Sequence, residues 1–353
     1  MAISGVWRFI QIDSMVKCSH QRITKSLGLR ELVIGGDGWL AAACERLKLS
    51  PPGLLIFVFH GLFESAAEIA RNAADPQQAV TTGMFRAFVG NLRAHNYRFV
   101  SPSEIVDGLD PAGRFAMITF DDGYANNRRA LPVMEEFEAP AVFCISAQHV
   151  ATGKPFWWDV LYREARLCNW THARLVQTRQ SLKRLRTDAI EQRLIAEFGR
   201  PAFRTITDTD RPFSERELSV FASHRLVHIG NHTFDHAILT NYPLLEVGEQ
   251  IVKAQDWLQE ITGRALRVIA YPNGNVSELI LRAVRDAGLA LGLTGQPGRN
   301  TIASTRSPVG ALVLKRHTLW GFRSIAAQCR VARSPFSLQA TLAGIRARVA
   351  GNA

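Results

Sequence analysis

The sequence predicts an α/β protein built on a parallel sheet, either open or closed into a barrel. Two observations predict it: seven short apolar runs recur along the chain, and segments with helical periodicity lie between them. The runs are apolar at consecutive positions rather than alternating, which is typical of strands covered on both faces. Strand–helix alternation favours parallel strands, whose carboxyl ends share the rim at which chemistry is expected.

The seven runs are each short enough to be strands. They are Leu54–Phe59, Phe115–Phe120, Ala141–Ile145, Leu226–Ile229, Val268–Tyr271, Leu289–Leu293 and Leu312–Leu314. Helices are predicted between them from three patterns: an apolar stripe from Met84 to Leu92, apolar positions three or four apart from Val247 to Ile261, and a capping Ser277 followed by Gly288.

Other segments fall outside this alternation. Residues 1–50 are expected to form an N-terminal extension, interrupted by Gly35, Gly36 and Gly38 and ended by Pro51-Pro52-Gly53. A main domain is expected over 51–330, with a helical, basic insertion over about 152–215. Residues 331–353 are expected to form a basic C-terminal tail.

Composition excludes several classes of protein. Of the 353 residues, 47% are hydrophobic, which excludes disorder as the main state, and the densest apolar run is far shorter than the roughly 20 residues of a membrane span. The N-terminus shows no signal-peptide pattern. Five scattered cysteines without a CxxC pair argue against a disulfide framework. We therefore expect a cytoplasmic protein, with a peripheral position at the inner membrane face left open.

The net charge of +11 is unevenly distributed. Nine basic and no acidic residues follow Asp286, and residues 160–211 hold 11 basic against 6 acidic residues. Such stretches indicate attraction to phosphate, to nucleic acid or to an anionic membrane, or else a solubilising surface. Nucleic acid is the disfavoured partner, because zinc-finger spacing and RNA-binding signatures are absent from the sequence.

Candidate metal-binding residues follow two of the predicted strands. Asp121-Asp122-Gly123 comes directly after Phe115–Phe120, where paired carboxylates are costly unless a ligand stabilises them. His232 and His236 follow the run Leu226–Ile229 at the spacing of one helical turn. Two histidines and one carboxylate form a facial metal site with open positions, and the second aspartate is then free to act as a general base. Taken separately, each motif also suits an ordinary turn or a surface helix.

Other segments allow a structural or a functional interpretation. Tyr271-Pro272-Asn273-Gly274 forms a rigid turn after a strand, either at the site or as a plain connection. Trp158, in Trp157-Trp158-Asp159, either stacks on a sugar ring or anchors the insertion. His60 either supports the metal rim or is a core histidine with its hydrogen bonds satisfied.

These motifs resemble those of a known family. Thr119-Phe120-Asp121-Asp122-Gly123, followed by His232-Thr233-Phe234-Asp235-His236, resembles motifs one and two of the polysaccharide deacetylases (the NodB homology domain, carbohydrate esterase family four). Tyr271–Gly274 resembles motif three, and Phe59-His60 the end of the first strand. The resemblance covers roughly residues 54 to 320 without the insertion, and it implies a distorted (β/α) barrel of about seven parallel strands.

The resemblance implies a role for each matching residue. Asp121 becomes the general base, and Asp122, His232 and His236 become the metal ligands. The backbone N–H of Asn273 becomes the oxyanion donor, with Tyr271, Pro272, His60 and Trp158 as further substrate-binding candidates. The last motif falls at Lys315-Arg316-His317, where His317 is the candidate general acid and either Arg316 or His317 faces the site.

Two departures from the family pattern stand out. Ala270 occupies the position of the arginine that braces the base in the longer form of motif three. The aspartate-rich fourth motif is not recognisable around Leu293 to Arg299.

The resemblance implies a metal-dependent hydrolase that removes N-acetyl groups from an amino sugar, an oligosaccharide or a polysaccharide. Zn²⁺ is the expected metal, although Mn²⁺, Co²⁺ and Ni²⁺ suit the same ligands. Two alternatives stay open: a deacylase or deformylase of another amide, such as a lipid-linked aminosugar, and a non-catalytic carbohydrate-binding barrel. The basic stretches add contact with an anionic membrane or a phosphate-linked sugar as a further expectation.

Overall fold

A computed structural model describes residues 24–338 and 341–342 of the chain, with side chains from residue 33 onward. Its strands are β1 Gly53–Phe59, β2 Arg98–Phe99, β3 Arg114–Phe120, β4 Ala141–Ile145, β5 Val227–Asn231, β6 Val268–Ala270, β7 Leu291–Leu293 and β8 His317–Thr318. Its α-helices are α1 Thr24–Arg46, α2 Ala66–Ala70, α3 Thr82–Ala94, α4 Pro102–Asp107, α5 Leu131–Glu136, α6 Ala147–Thr152, α7 Trp157–Leu167, α8 His172–Leu182, α9 Thr187–Phe198, α10 Glu215–Ala222, α11 Leu244–Thr262, α12 Glu278–Asp286, α13 Ile302–Arg306 and α14 Ile325–Arg333.

The strands form a parallel sheet that curves into a distorted barrel. The sheet order is β7-β6-β5-β4-β3-β1-β8, and the two-residue β2 pairs beside β3. Leu314 makes a parallel bridge to Leu293 at the end of β7, and three residues later His317 pairs with Phe57 of β1. The segment from Leu314 to β8 therefore joins the two edges of the sheet. The predicted barrel of about seven parallel strands is confirmed.

Alternate residues of each strand enter two different cores. Leu54 and Ile56 of β1 face the barrel interior with Met117 of β3 and its neighbours. Phe57 and Phe59 face outward and pack against α3 in the larger core between the sheet and the helices. Burying each of these large side chains stabilises the fold by about 1.5–3 kcal/mol. Helices therefore cover the sheet on its outer face, and side chains fill it within.

Most predicted elements coincide with observed ones, and the last strand is the exception. Leu312–Leu314 is not a strand, because residues Gly310–Val313 form a 3₁₀ helix and the carbonyl of Leu312 accepts a hydrogen bond from Tyr271. The strand pairing with β1 is instead His317–Thr318. The three helices predicted from periodicity and capping are confirmed as α3, α11 and α12, and the Ser277 hydroxyl accepts from Ile280 N–H at the start of α12.

The N-terminal extension contains a helix that packs against the end of the main domain. Helix α1 runs without a break through the glycines predicted to interrupt it. Glu45 near its end pairs with Arg330 at 2.7 Å and with Arg333 at 2.8 Å, both on α14. The predicted boundary between residues 330 and 331 falls inside α14. Residues 1–23 of the extension, and nearly all of the tail beyond 338, lie outside the described residues.

The predicted insertion consists of helices with a small core of their own. Helices α7, α8 and α9 enclose a cluster that includes Trp157, Leu182 and Leu194. Arg163 on α7 is buried and pairs with buried Asp210 at 3.1 Å. None of the described helices combines the length and the apolar character that a membrane crossing requires.

Candidate active site

The first site residues lie in the turn that ends β3. The Asp121 N–H donates to the Phe59 carbonyl at 2.9 Å, which extends the pairing of β1 and β3 by one residue. Asp122 then adopts φ of 76° and Gly123 φ of 95°. A left-handed backbone is uncommon for residues other than glycine, and aspartate is among those that adopt it more readily. The turn sends the two adjacent carboxylates in different directions, Asp121 toward Arg316 and Asp122 toward the histidines.

The two histidines approach Asp122 from the segment after β5. This segment is not the helical turn that their spacing suggested, because Thr233 and His236 both have positive φ. The Asn231 side chain shapes it by accepting a hydrogen bond from Thr233 N–H at 2.8 Å. The Nε2 atoms of His232 and His236 nevertheless each lie 3.4 Å from Asp122 Oδ1.

The donor set of these three residues fits a divalent metal. One ligand atom from each of Asp122, His232 and His236 lies within 4.8 Å of the others. His232 Nδ1 contacts the Ala270 carbonyl at 2.8 Å, so Nδ1 carries the proton and Nε2 is free to ligate. Burial raises the pKa of Asp122, but the two histidines lower it well below its usual value, so the carboxylate is ionised. Three protein ligands leave positions open for water and substrate.

The partner of Asp121 is Arg316. Its Nη1 and Nη2 donate to the two Asp121 oxygens at 2.7 and 2.8 Å, and its Nε donates to the Thr294 carbonyl at 2.9 Å. Burial raises the pKa of Asp121, but the guanidinium of Arg316 outweighs it and holds the pKa below the usual value. Asp121 is therefore an ionised, oriented carboxylate beside the metal ligands. Sequence reasoning left Arg316 and His317 as alternatives here, and the structure places Arg316 at the site.

His317 lies away from this constellation. Its ring packs against Phe57 with centroids 5.5 Å apart, and it lines a groove beside α14 rather than the cavity that holds Asp122. Burial, together with Arg299, lowers the pKa of His317 to about 4. Because strand residues alternate in direction, the inward position of Arg316 directs the next residue outward. The structure thus gives no support to His317 as the general acid.

A cavity of about 360 Å³ opens over the metal ligands. Asp122 and His236 lie in its wall with His60 and Asn273, as the shared rim of the strands predicts. The insertion supplies a second part of the wall, which comprises Trp157, Trp158, Arg179 and Lys183. Sequence reasoning missed Arg179 and Lys183, because nothing in the pattern of α8 separates cavity residues from surface residues.

Trp158 joins the cavity wall to the core of the insertion. Its ring lies 4.5 Å from the His236 ring, and its Nε1–H donates to Tyr124 Oη at 2.6 Å. Tyr124 in turn donates to buried Asp159 at 2.8 Å, which also accepts from Asp75 N–H at 2.7 Å. Burial and nearby Asp75 raise the pKa of Asp159 well above its usual value. The tryptophan pair therefore anchors the insertion and also lines the cavity, and stacking of Trp158 on a sugar ring stays a prediction.

The remaining candidates divide between the cavity and the wall behind it. His60 Nδ1 lies 2.9 Å from Gln78 Oε1, and the Gln78 amide donates to the Val58 carbonyl, so His60 is held by its Nδ1–H. Asn273 has φ of 61° and lines the cavity. Tyr271 and Pro272 are buried behind it, with the Tyr271 hydroxyl bonded to the Leu312 carbonyl, so they support the turn without lining the cavity.

Comparison with known proteins agrees with this geometry. The family profile described as polysaccharide deacetylase matches residues 109–292, just over half of the chain. No curated protein sequence is similar enough to count as a match.

Solved structures with a similar fold include two deacetylases and the protein IcaB. The deacetylase PplD of Streptococcus pyogenes, in complex with acetate, is 16% identical with a TM-score of 0.54, covering 80% of this chain and 99% of that one. IcaB of Ammonifex degensii is 18% identical with a TM-score of 0.52, covering 81% and 98%. A polysaccharide deacetylase of Bacillus cereus is 14% identical with a TM-score of 0.54, covering 80% and 70%. At these identities the likeness shows the fold.

The barrel, the Asp/His/His cluster and the profile match define a class of enzyme, the metal-dependent hydrolases of amide bonds. Within that class the chain belongs to the polysaccharide deacetylase family. It is a carbohydrate deacetylase, as the resemblance of its first two motifs implied.

Proposed function

We propose that this enzyme hydrolyses the N-acetyl group of an amino sugar within an oligosaccharide or polysaccharide, with a divalent metal held by Asp122, His232 and His236. One observation carries the proposal: an ionised Asp121, oriented by Arg316, lies next to three metal-ligating side chains, of which Asp122 and His236 line one cavity. Zn²⁺ is the metal we expect, because nitrogen and carboxylate donors suit it, while Mn²⁺, Co²⁺ and Ni²⁺ suit the same set.

The residues divide the chemistry between them. When bound, the metal supplies Lewis acidity, which polarises the acetyl carbonyl and lowers the pKa of a water at the site. Asp121 accepts a proton from that water as its oxygen attacks the carbonyl carbon, and Arg316 keeps the Asp121 carboxylate aimed. The Asn273 N–H donates to the carbonyl oxygen as negative charge develops there. The C–N bond then breaks, and Asp121 returns its proton to the leaving amine.

Two substitutions test these assignments. Asp121→Asn keeps the shape of the side chain but removes the base, so acetate release should fall at least a hundredfold while metal content stays at one equivalent. His232→Ala should lose the metal, as measured by elemental analysis. Full activity in Asp121→Asn contradicts the base assignment, and unchanged metal content in His232→Ala contradicts the ligand assignment.

The assay should include a panel of substrates. Acetate release from free, nucleotide-linked, oligomeric and lipid-linked N-acetylaminosugars separates the sugar deacetylase from a deacylase of other amides. A formylated aminosugar in the same panel tests deformylase activity, because the metal site itself does not discriminate between the two acyl groups.

We also propose that the enzyme works in the cytoplasm, where it contacts the anionic inner face of the membrane or a phosphate-linked sugar. Support comes from Lys315, which is exposed, and from Arg323, beside Phe322 with 68% of its surface exposed. Cell fractionation and vesicle binding test it: binding to anionic vesicles that salt does not weaken would contradict the electrostatic contact.

A further inference from the structure

The insertion contributes two cations to the active-site cavity. Arg179 lies near the end of α8, and Lys183 follows directly after that helix. Both line the same cavity as Asp122 and His236. These two positions come from the insertion, so the barrel alone would leave that side of the cavity without a positive charge.

The charges around the cavity do not cancel. Arg179 pairs with Asp75, and Asp122 belongs to the metal site, so both carboxylates of the wall are already engaged. The Lys183 ammonium donates to the uncharged Asn273 Oδ1 at 2.8 Å, and in the described part of the chain it pairs with no carboxylate. With a divalent metal bound, the cavity therefore carries net positive charge, which favours an anionic ligand.

The contacts of Lys183 fix where that charge lies. Asn273 is held in turn, because its Nδ2 donates to Asn275 Oδ1 at 3.1 Å. The Asn273 backbone is the proposed donor to the acetyl oxygen, so the Lys183 ammonium lies beside the reacting group rather than at a distant surface. Arg179 adds a buried Nε–H that has no partner among the described residues. Together they form a cationic corner at the mouth of the cavity.

We propose that this cationic corner, Lys183 and Arg179, binds an oxyanion carried by the amino-sugar substrate, either a phosphate or a carboxylate. The inference rests on the proposed deacetylase function and specifies its substrate class: an N-acetylated amino sugar with an anionic substituent. Lys183 is the specificity-determining residue, because Asp75 balances the charge of Arg179, which adds its unpartnered Nε–H as a hydrogen-bond donor. The corner selects the substrate and leaves the base and the metal site unchanged.

The test measures binding to the metal-loaded Asp121→Asn protein, in which the substrate is not consumed. Calorimetry compares neutral N-acetylglucosamine with N-acetylglucosamine 1-phosphate and with N-acetylmuramic acid. We expect at least one anionic ligand to bind about fivefold tighter or better, and Lys183→Gln to remove that preference. Lys183→Arg, which keeps the charge, should retain most of it. The metal attracts anions in every variant, so the difference between variants isolates Lys183.

Arg184→Gln is the matched control, because it removes one charge from the exposed neighbouring position, which does not line the cavity. A preference that survives in this control and disappears in Lys183→Gln supports the proposal. Equal losses for neutral and anionic ligands, or no preference in the parent protein, would overturn it. The acetate-release panel on the wild-type enzyme is a separate measurement, so a failed deacetylase assignment is distinguishable from a failed anion site.

Discussion

Arg316 takes over a role that the family pattern gives to a different position. The arginine expected before Tyr271 is Ala270, and its carbonyl holds the His232 ring instead. Arg316 reaches Asp121 from the opposite edge of the sheet, just before β8. Two parallel hydrogen bonds from one guanidinium fix both the direction and the ionisation of the carboxylate. The contact that the resemblance assigned to position 270 is therefore made in this chain by Arg316.

Replacing Arg316 with Gln should raise the pKa of Asp121, because the burial of that carboxylate remains and the opposing charge is gone. The acid limb of kcat/KM should then move to higher pH, and turnover should fall about a hundredfold. Arg316→Lys keeps the charge without the paired geometry and should show a smaller shift of the limb. A pH–rate profile with an unmoved acid limb in Arg316→Gln would contradict this account of the base.

His317 gives a prediction about stability rather than turnover. Its pKa is about 4 in the folded protein against 6.5 in the unfolded chain, so the folded state binds fewer protons. His317 therefore makes its full contribution to the free energy of unfolding above pH 6.5. That contribution is lost as the pH falls toward 4, and the free energy of unfolding decreases by up to about 1.4 kcal/mol per pH unit. Urea unfolding of His317→Gln should therefore show a weaker decline over this range than wild type. A loss of turnover near a hundredfold would instead restore His317 as general acid.

At the residue scale, the sequence was most informative where several residues were expected to form one metal site. Asp122, His232 and His236 were expected together, since each follows a strand of the same rim. The Arg316 contact was left as one of two alternatives, because adjacent residues of a strand point in opposite directions and its register was unknown. Lys183 was missed for a similar reason: a lysine at a helix end gives no sign of which side faces a cavity.

At the scale of elements, helices α1 and α14 are linked by the ion pairs that Glu45 of α1 forms with Arg330 and Arg333 of α14. The Arg333 side chain is only 7% exposed, and without Glu45 it would lose its carboxylate partner. Glu45→Ala should lower the free energy of unfolding by about 1–2 kcal/mol, since Glu45 itself is one-third exposed and solvent screens the pair.

Glu138→Ala provides the control for that measurement. Glu138 pairs with Arg225, and more than 60% of each side chain is exposed. Urea unfolding should show no change of midpoint for Glu138→Ala and a clear decrease for Glu45→Ala. Equal midpoints in the two variants would mean that the contact between α1 and α14 contributes little.

The elements themselves were largely predictable, and the exceptions have physical causes. Buried parallel strands such as β1 and β4 are continuous apolar runs, and that pattern predicted them. The run Leu312–Leu314 is equally apolar. However, the Tyr271 hydroxyl donates a hydrogen bond to the Leu312 carbonyl, and residues Gly310–Val313 form a 3₁₀ helix. Strands β2 and β8 have two residues each, too few to give a periodic signal.

At the scale of the whole molecule, four of the described cations that follow Asp286 are engaged in contacts within the fold. Of the cations after Asp286, Arg316 pairs with Asp121, Arg330 and Arg333 pair with Glu45, and Arg299 donates to backbone carbonyls. These side chains are therefore held within the fold, and a count of basic residues does not show which of them can contact a partner directly. Sequence counts cannot show this, because only the fold determines which side chains are satisfied.

The way in which the barrel closes predicts that activity and secondary structure are lost at different temperatures. The segment between Leu314 and Thr318 joins the sheet edges through one bridge and a two-residue strand. The same segment carries Arg316, so any fluctuation that parts the edges also releases the base. On heating, turnover should therefore be lost several degrees below the temperature at which circular dichroism shows unfolding. If the thermal midpoints of activity loss and of the circular dichroism signal coincide, this prediction is wrong.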